Sequence, residues 1–515
     1  MSKLSKNIIY NLFGQFLLLI LGFFSVKYVF RHLGSEALGI IYFVGTINIV
    51  FVGILDKGIF TTVVREVSSC YKKEPEYVNK FIQTFSLLCW IIFILFGIII
   101  YIAAPFLVKN WLNLSTIEPS SAIAVVRILG IASLTIFPRG FYSSLINGLE
   151  RMEFSNIITV LTTLLQQLGT IVIIIKFRGN LYHVAVWFAF CYSLSLLSFI
   201  IISGYFFSIK SIVFYYSGTV IKRNLDFIKK MIQVSILGLV NKQSDKLIAS
   251  KLLSAGMFGY YGFVFNYVSK TNMLTTAIAK AAFPSISRLI GTGNNKELMV
   301  QYRKLQDLIC FFTIPVYMIG IYSSLALLTF LFNKEIANLL FWPIVLLCLG
   351  FYMNGTLNIP YKFAIAKDKA EIIIRTSIYS LIIILPISFF LIHFFKLNGI
   401  ALVWVSYNLF MSLYMLPRIY KECIFIPVRN WYLRLIKSFV LTIVTYGTGW
   451  IFLMFTDPYS VFWVLTVFIL STAVFLCITF FVIDKELQQV FLRYFKMFVS
   501  SLKLKKADPS IDTAG

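Results

Sequence analysis

Charged side chains are scarce in this sequence. They make up 13% of its 515 residues, while hydrophobic residues make up 59%. A soluble chain is about 25% charged and 45–50% apolar, so a soluble enzyme or regulatory domain is excluded. Apolar segments of about 20 residues, the length that spans a bilayer as a helix, recur along the chain. The composition therefore predicts an all-α polytopic membrane protein.

Long polar connections are also missing. The hydrophobic pattern predicts fourteen spans, and the connections between them are roughly 25 residues or shorter, which leaves no room for a soluble catalytic domain. The predicted spans are residues 8–30, 40–64, 81–104, 122–146, 155–175, 184–208, 231–253, 259–283, 308–331, 338–361, 375–395, 400–420, 436–455 and 461–482. The first span is long and others follow it, so we expect an anchor and not a cleaved signal peptide.

The sequence lacks the residue clusters that hold metals, disulfides or nucleotides. Its seven cysteines are scattered without a CxxC pair, and its three histidines are far apart. Neither a disulfide framework nor a metal site is indicated. A Gly-rich phosphate loop of the GxxxxGK[ST] type is absent, so ATP hydrolysis is not expected. We expect no resident cofactor.

Acidic residues are few. The sequence has 21 Asp and Glu and 46 Lys and Arg, which gives a net charge of +25. The position of these charges argues against nucleic acid as a partner. With a cytoplasmic N-terminus, the cytoplasmic segments hold 31 Lys and Arg and the external loops hold 7. This positive-inside bias predicts that both termini are cytoplasmic.

One predicted span is weak by hydropathy. Residues 231–253 carry six consecutive polar residues, Asn241 to Lys246. Omitting this span would turn every later basic loop outward, so it is retained. A six-residue polar run covers all faces of a helix. The run must therefore be buried in protein or line water, and the helix could be bent or locally unwound there.

A shift of 220 residues superimposes the two halves of the sequence. "HLGSEALGIIYFV" (32–44) then matches "LLSAGMFGYYGFV" (252–264), with Gly39 over Gly259 and Phe43 over Phe263. The repeat unit is six spans, an even number, so both copies enter the membrane in the same direction. This predicts a pseudo-two-fold axis along the membrane normal, with a binding site between two six-helix lobes, as in many transporters.

Ten charged residues fall within the predicted spans at least three residues from either end, and basic residues dominate. The bases are Lys27, Lys57, Arg127, Arg139, Lys242, Lys246, Lys270 and Lys280, and the acids are Asp56 and Asp245. Each charge at the centre of a membrane costs about 2.5–3.5 kcal/mol, so lipid-facing positions are disfavoured. Three bases lie near span ends and could reach the headgroups: Lys27, Arg127 and Lys280. The others either line a wet cavity or form structural ion pairs.

The excess of positive charge indicates the kind of ligand. A cavity lined by unneutralised bases attracts an anion, whereas a pump for cationic drugs would be expected to carry acids. Phosphate or pyrophosphate headgroups suit lysine and arginine well. A lipid with such a headgroup would keep its tail in the bilayer and its head in the cavity.

Four short motifs resemble the Wzx-type family of polysaccharide flippases, which move O-antigen and capsule repeat units. They are the "LG.E..G" turn (33–39), the "D.G" of span 2 (56–58), "SDKLI" in span 7 (244–248) and "FPSISRL" after span 8 (283–289). The four motifs occur in the same order as in that family, and the resemblance as a whole extends over about 430 residues. The two last spans fit the fourteen-span members.

The resemblance implies the multidrug/oligosaccharidyl-lipid/polysaccharide exporter superfamily, with two six-helix lobes in a V, MATE-like, plus two C-terminal helices. The expected domains are residues 1–208, 225–420, 436–483 and a basic cytoplasmic tail, 484–515. The implied substrate is undecaprenyl-pyrophosphate-linked oligosaccharide, flipped across a bacterial inner membrane for surface polysaccharide biosynthesis. A polymerase and a chain-length regulator of the same pathway would be partners.

The resemblance also implies roles for the buried charges, because spans 1, 2, 7 and 8 line the central cavity in this fold. The expected cavity cations are Lys27, Lys57, Arg139, Lys242, Lys246, Lys270 and Lys280. Asp56 and Asp245 are candidates for coupling to H⁺ or Na⁺, although salt bridges to neighbouring bases are an equal alternative. Gly53 and Gly58, which flank the Asp56–Lys57 pair, would let a partner helix approach closely.

Three alternatives stay open. A lipid II-type flippase differs only weakly from this pattern, and a MATE-type drug or cation antiporter would share the fold. A polysaccharide polymerase is the enzyme alternative. Such an enzyme would be expected to have a sizeable external loop or an acidic motif for a metal in its first external loop, but that loop, "RHLGSEALG" (31–39), is short and has Glu36 as its single acid. We therefore expect a transporter and not an enzyme. No residue indicates the sugar composition of the substrate.

Overall fold

The computed structural model describes residues 3–207, 213–489 and 492. These residues are almost entirely helical, as a membrane-spanning chain must be to satisfy its backbone hydrogen bonds in hydrocarbon. Within them, one isolated parallel β-bridge joins Asn113 and Ser254. The predicted all-α polytopic fold class is confirmed.

The described residues up to Ser269 form nine helices. They are α1 (Lys3–Leu55), α2 (Thr61–Cys70), α3 (Pro75–Phe106), α4 (Pro119–Ser133), α5 (Ile136–Gly148), α6 (Met152–Lys176), α7 (Leu181–Phe207), α8 (Gly218–Leu252) and α9 (Ala255–Ser269). Single π-helical turns follow α1, at Asp56–Phe60, and α3, at Leu107–Trp111. Such turns interrupt regular helices and are frequent at functional positions.

Ten helices complete the described chain. They are α10 (Asn272–Gly291), α11 (Asn295–Phe312), α12 (Ile314–Tyr322), α13 (Ser324–Leu331), α14 (Lys334–Ala366), α15 (Ala370–Phe410), α16 (Leu416–Ile419), α17 (Arg429–Thr442), α18 (Thr448–Phe455) and α19 (Val461–Val482). Further π-helical turns lie at Met411–Met415, Tyr420–Ile424 and Ile443–Gly447.

Two of these helices are interrupted by kinks. A straight helix with the 53 residues of α1 would be about 80 Å long, far more than the hydrocarbon thickness of about 30 Å. Gly34 breaks α1 with φ 83° and ψ 176°, a backbone conformation that glycine adopts without penalty. Lys396 breaks α15, with φ 49°, and the chain folds back so that Gly399 touches the backbone of Leu391. Each kinked helix covers two predicted spans.

Ten segments of the described residues are long and apolar enough to cross a membrane. Two of them, Leu18–Gly53 and Ala370–Ile424, contain the kinks and each covers two predicted spans. The segment α8 is not among the ten, as its polar run leads one to expect. The total of fourteen spans stays a prediction.

The structure corrects two details of the sequence analysis. Predicted span 8 is not continuous, because Lys270 and Thr271 form a turn between α9 and α10. The Thr271 hydroxyl donates a hydrogen bond to the carbonyl of Val268 at 2.6 Å, and such local bonds compete with helical ones. In contrast, α8 is helical from Gly218 to Leu252, so the local unwinding considered for its polar run is not observed.

The chain divides into two compact units. Unit 1 contains residues 1–266, 330–343 and 377–403, and unit 2 contains residues 267–329, 344–376 and 404–515. The predicted lobes, 1–208 and 225–420, stay a prediction with those bounds.

Unit 1 is built around α1, which packs against α4, α6 and α8. A buried apolar core joins α2, α3, α5 and α7, with Val67, Phe81, Phe85, Phe141 and Phe199 among its members. Outside this core, Arg223 near the start of α8 forms a 2.7 Å ion pair with Glu74, which lies in the connection between α2 and α3. Hydrogen bonds from this guanidinium lower the pKa of the Glu74 carboxyl.

Polar contacts join several helices of unit 2. Asn354 on α14 bridges α10 and α15, because it accepts from Asn272 at 3.2 Å and donates to Asn408 at 2.9 Å. The C-terminal helices are tied on by Arg434 of α17, whose Nε donates to the buried Asp307 carboxylate at 2.6 Å. The backbone N–H of Asp484 donates to the other oxygen of Asp307 at 3.0 Å.

Candidate functional site

The polar run of α8 forms a buried cluster in unit 1. The Lys246 ammonium donates to the Gln243 side-chain oxygen at 3.1 Å and lies 3.9 Å from the ring centroid of Phe265. These two contacts replace the water that a lysine loses on burial. The helix presents this face to protein and not to lipid, as we expected for a polar run inside a membrane.

Asp245 lies beside this lysine and is 4% exposed. Its two carboxylate oxygens accept no hydrogen bond from another side chain in the described part of the chain. It interacts electrostatically with Lys246 and with Tyr261 of α9, whose hydroxyl is also buried and lacks a described hydrogen-bond partner. A buried carboxyl with so few donors is a group whose charge can be changed by an ion or a proton.

Two predicted cavity cations lie elsewhere in unit 1. The Lys27 ammonium, on the first half of α1, lies 3.2 Å from the ring centroid of Phe330. Arg139, at the start of α5, is half-buried and interacts electrostatically with Tyr192 of α7. Neither base forms a salt bridge with an acid of the described residues.

The remaining two described cations belong to unit 2. Lys270 is exposed in the turn between α9 and α10, and Lys280 is exposed on α10. They too form no salt bridge with an acid in the described ranges. Their exposure on a membrane protein means that each ammonium reaches water, a headgroup or a ligand.

Three predicted site residues have side chains outside the described part of the chain: Asp56, Lys57 and Lys242. Their backbones are described, and the first two begin the π-helical turn after α1. The glycines on either side pack against α8 as predicted. A Cβ atom at Gly58 would lie 2.6 Å from Cγ1 of Ile232, and one at Gly53 would overlap the side chain of Leu239.

The structure thus brings Gln243, Asp245 and Lys246 into one buried cluster of unit 1. Sequence reasoning missed Tyr261 and Gln243 as neighbours of this acid–base pair. Gln243 was visible as part of the polar run. Tyr261 was not, because an aromatic residue in an apolar span is usually a packing residue.

Comparison with known proteins identifies the class to which this fold belongs. Solved structures with the same fold include the lipid II flippase MurJ in an inward closed conformation, with a TM-score of 0.72 and 17% identity over 95% of this chain and 99% of that one. An inward-facing multidrug resistance MATE transporter matches with a TM-score of 0.66 and 13% identity over 78% of this chain and 95% of that one. The chain therefore has the fold of a MurJ- and MATE-like transporter.

Sequence comparison then gives the family. Residues 4–290 match the model of the polysaccharide biosynthesis protein family, so the chain belongs to that family. It is also 24% identical over 401 residues to a Shigella flexneri protein named as an O-antigen transporter, covering 78% of this chain and 93% of that protein. The resemblance to the Wzx-type polysaccharide flippases is confirmed at the level of the family, and the similar proteins named here are transporters or flippases and not enzymes.

Proposed function

We propose that this protein is a flippase for undecaprenyl-pyrophosphate-linked oligosaccharide repeat units, working by ion-coupled alternating access. Its family and the name of its Shigella flexneri relative support a substrate from surface polysaccharide biosynthesis. The substrate moves from the cytoplasmic to the periplasmic leaflet of a bacterial inner membrane, and both termini are cytoplasmic. The polymerase and the chain-length regulator of the pathway are its partners.

One observation carries the proposal: four of the five described bases in the predicted cavity set form no salt bridge with an acid. Within the described residues, Lys27, Arg139, Lys270 and Lys280 have no salt bridge to a carboxylate. Bases kept in a membrane without counter-ions attract an anionic headgroup. A pyrophosphate carries the charge and the acceptor oxygens that lysine and arginine bind best. This favours a pyrophosphate-linked lipid over a cationic drug.

The acids have a different role in this proposal. Asp245 has no side-chain hydrogen-bond donor among the described residues, so a proton or Na⁺ can compete for its carboxylate. Asp56 occupies the π-helical turn, where α8 approaches Gly58 closely. Neutralising these acids in one lobe orientation, and charging them in the other, couples transport to the ion gradient.

Reconstitution tests the substrate class. The protein is placed in proteoliposomes with a labelled oligosaccharide on undecaprenyl pyrophosphate, or with the same oligosaccharide linked to the uncharged lipid without pyrophosphate. We expect protein-dependent movement of the pyrophosphate lipid between leaflets and little movement of the uncharged one. Equal rates for both lipids, or preferential movement of a lipophilic cation, would contradict the proposal.

A further inference from the structure

Glu36 is buried at the turn between the two halves of α1, and it is 5% exposed. Its carboxylate accepts five hydrogen bonds from the connection between α3 and α4. The backbone N–H and hydroxyl of Ser115 reach Oε1 at 2.6 and 2.5 Å. The N–H and hydroxyl of Thr116 and the N–H of Ile117 reach Oε2 at 2.9, 2.8 and 2.9 Å. A carboxylate bound by so many donors fixes the backbone of that connection.

The connection fixed in this way holds the turn between α8 and α9. The Asn113 side chain donates to the carbonyls of Lys251 and Leu253 at 2.8 and 3.2 Å, and its own carbonyl accepts from the N–H of Ala255 at 3.0 Å. The Lys251 ammonium donates to the carbonyl of Asn110. The β-bridge of the described chain, between Asn113 and Ser254, lies here as well.

The second half of α1 also packs closely against the start of α9, next to these hydrogen bonds. A Cβ atom at Gly259 of α9 would lie 2.6 Å from the backbone nitrogen of Gly39. One at Gly256 would lie 2.6 Å from the hydroxyl oxygen of Ser35. The second half of α1 and the start of α9 therefore touch backbone to backbone at residues next to Glu36.

We propose that these contacts form the external closure of the transporter and that Glu36 is the residue that positions it. The segments joined, 33–39 with 110–117 and 251–259, come from the two sequence repeats. The distribution of loop charges predicts that these turns lie on the periplasmic side of the membrane. Alternating access requires the repeats to separate on this side, so the closure breaks in each cycle. Its hydrogen bonds set how often the protein opens outward.

Glutamine at position 36 isolates the role of the charge. An amide nitrogen cannot accept hydrogen bonds, so Glu36→Gln loses the acceptor for two or three of the five donors in either orientation. The variant keeps the size of the side chain. The matched control is Glu118→Gln, since Glu118 lies in the same connection but is exposed.

A cysteine pair reports closure directly. The Cβ of Ser35 lies 3.2 Å from where a Cβ at residue 256 would stand, close to the separation of about 3.5–4.5 Å found in disulfides. Ser35→Cys with Gly256→Cys, in a chain whose exposed Cys477 is changed to Ser, should form a disulfide rapidly on oxidation. Adding Glu36→Gln should slow this reaction by about tenfold or more, because each charge-assisted hydrogen bond that is lost is worth about that factor. Glu118→Gln should leave the rate unchanged.

A second variant protects the test if Glu36→Gln fails to reach the membrane. Ser115→Ala with Thr116→Val removes the two hydroxyl donors, keeps the acid, and should slow cross-linking in the same direction. An unchanged cross-linking rate in either set overturns the proposal.

A transport measurement on the cross-linked protein is the second test of the closure, and it rests on the proposed function. In proteoliposomes, the oxidised pair should stop movement of lipid-linked oligosaccharide, and a reductant should restore it. Movement at the parental rate while cross-linked would also overturn the closure. A failure of the proposed function looks different, because the parent protein would then move no lipid-linked oligosaccharide although its cross-linking responds to Glu36.

Discussion

Gly39 and Gly259 touch each other through their backbones, and they are the same position in the two sequence repeats. A Cβ atom added to Gly259 would lie 2.6 Å from the nitrogen and 3.1 Å from the Cα of Gly39. Two residues related by a two-fold axis contact each other only close to that axis. The contact therefore agrees with a pseudo-two-fold axis that passes between the second half of α1 and α9. It also makes both glycines sensitive to any added atom.

Gly39→Ala should separate these helices. The new Cβ would overlap the backbone carbonyl of Ala255, and a backbone cannot rotate away as a side chain can. We expect reduced transport with slow disulfide formation between cysteines at positions 35 and 256. The control is Gly45→Ala on the same helix, where a Cβ meets open space and alanine favours the helix by roughly 0.5–1 kcal/mol. Equal behaviour of the two variants would argue against close packing at Gly39.

The topology is testable with alkaline phosphatase fusions. The distribution of loop Lys and Arg, 31 inside and 7 outside, predicts that residue 457 is external and residue 430 is cytoplasmic. A fusion after residue 457 should be active, and one after residue 430 should be inactive. The reverse pattern at both sites would invert the assignment.

The bases of the predicted cavity set should matter for export and not for folding. Lys270→Ala should reduce surface-polysaccharide export while the protein level in the membrane stays normal, because Lys270 is exposed and has no described salt bridge to lose. Lys242→Ala should act in the same direction. Arginine at either position should retain more activity than alanine, since it keeps the charge. Lys176→Ala, an exposed lysine outside the predicted set, is the control.

Disappearance of the alanine variants from the membrane would favour a structural role. Immunoblots of the membrane fraction, beside measurements of exported polysaccharide, distinguish the two results.

If transport is coupled to an ion gradient through Asp56, variants of Asp56 and of the adjacent Lys57 should differ in their transport properties. Asp56→Asn should still bind substrate but should lose the acceleration by an imposed pH or Na⁺ gradient, because asparagine cannot change its charge. Lys57→Ala should weaken binding itself. Proteoliposomes with labelled substrate, with and without each gradient, provide the measurement. A normal gradient response in Asp56→Asn would remove its coupling role and leave a salt-bridge partner.

The tie between Asp307 and Arg434 should dominate the stability of the C-terminal helices. Asp307 is 3% exposed, and Arg434→Ala removes the guanidinium that pairs with its carboxylate. Removing one partner of such a buried ion pair lowers the free energy of unfolding by about 3–5 kcal/mol. We expect a lower melting temperature in detergent and less protein in the membrane. Arg375→Ala removes an exposed pair with Glu371, which is worth about 0–1 kcal/mol, and should change little. Similar losses in both variants would contradict the importance of the buried pair.

The fold class and the family could be predicted from the amino-acid sequence alone. Hydrocarbon accepts only helices with internally satisfied backbones, so long apolar segments predict helical spans without knowledge of their neighbours. The polar run of α8 could be assigned to a buried surface for the same reason. Its six polar residues cannot all face lipid, and the buried cluster of Asp245 and Lys246 follows from that.

Which side chains contact each other could not be predicted from the sequence and follows from the three-dimensional structure. The interruption at Lys270 depends on a local hydroxyl–carbonyl bond that competes with the helix. Glu36 is a lone acid in a short loop, and nothing local indicates that residues 115–117 would surround it. Asp307 and Arg434 are separated by 127 residues, and Tyr261 meets Asp245 from another helix. Hydropathy depends on the composition of each segment and predicts whether that segment lies in lipid or in water. The contacts between these residues depend instead on how segments that are distant in the chain pack together.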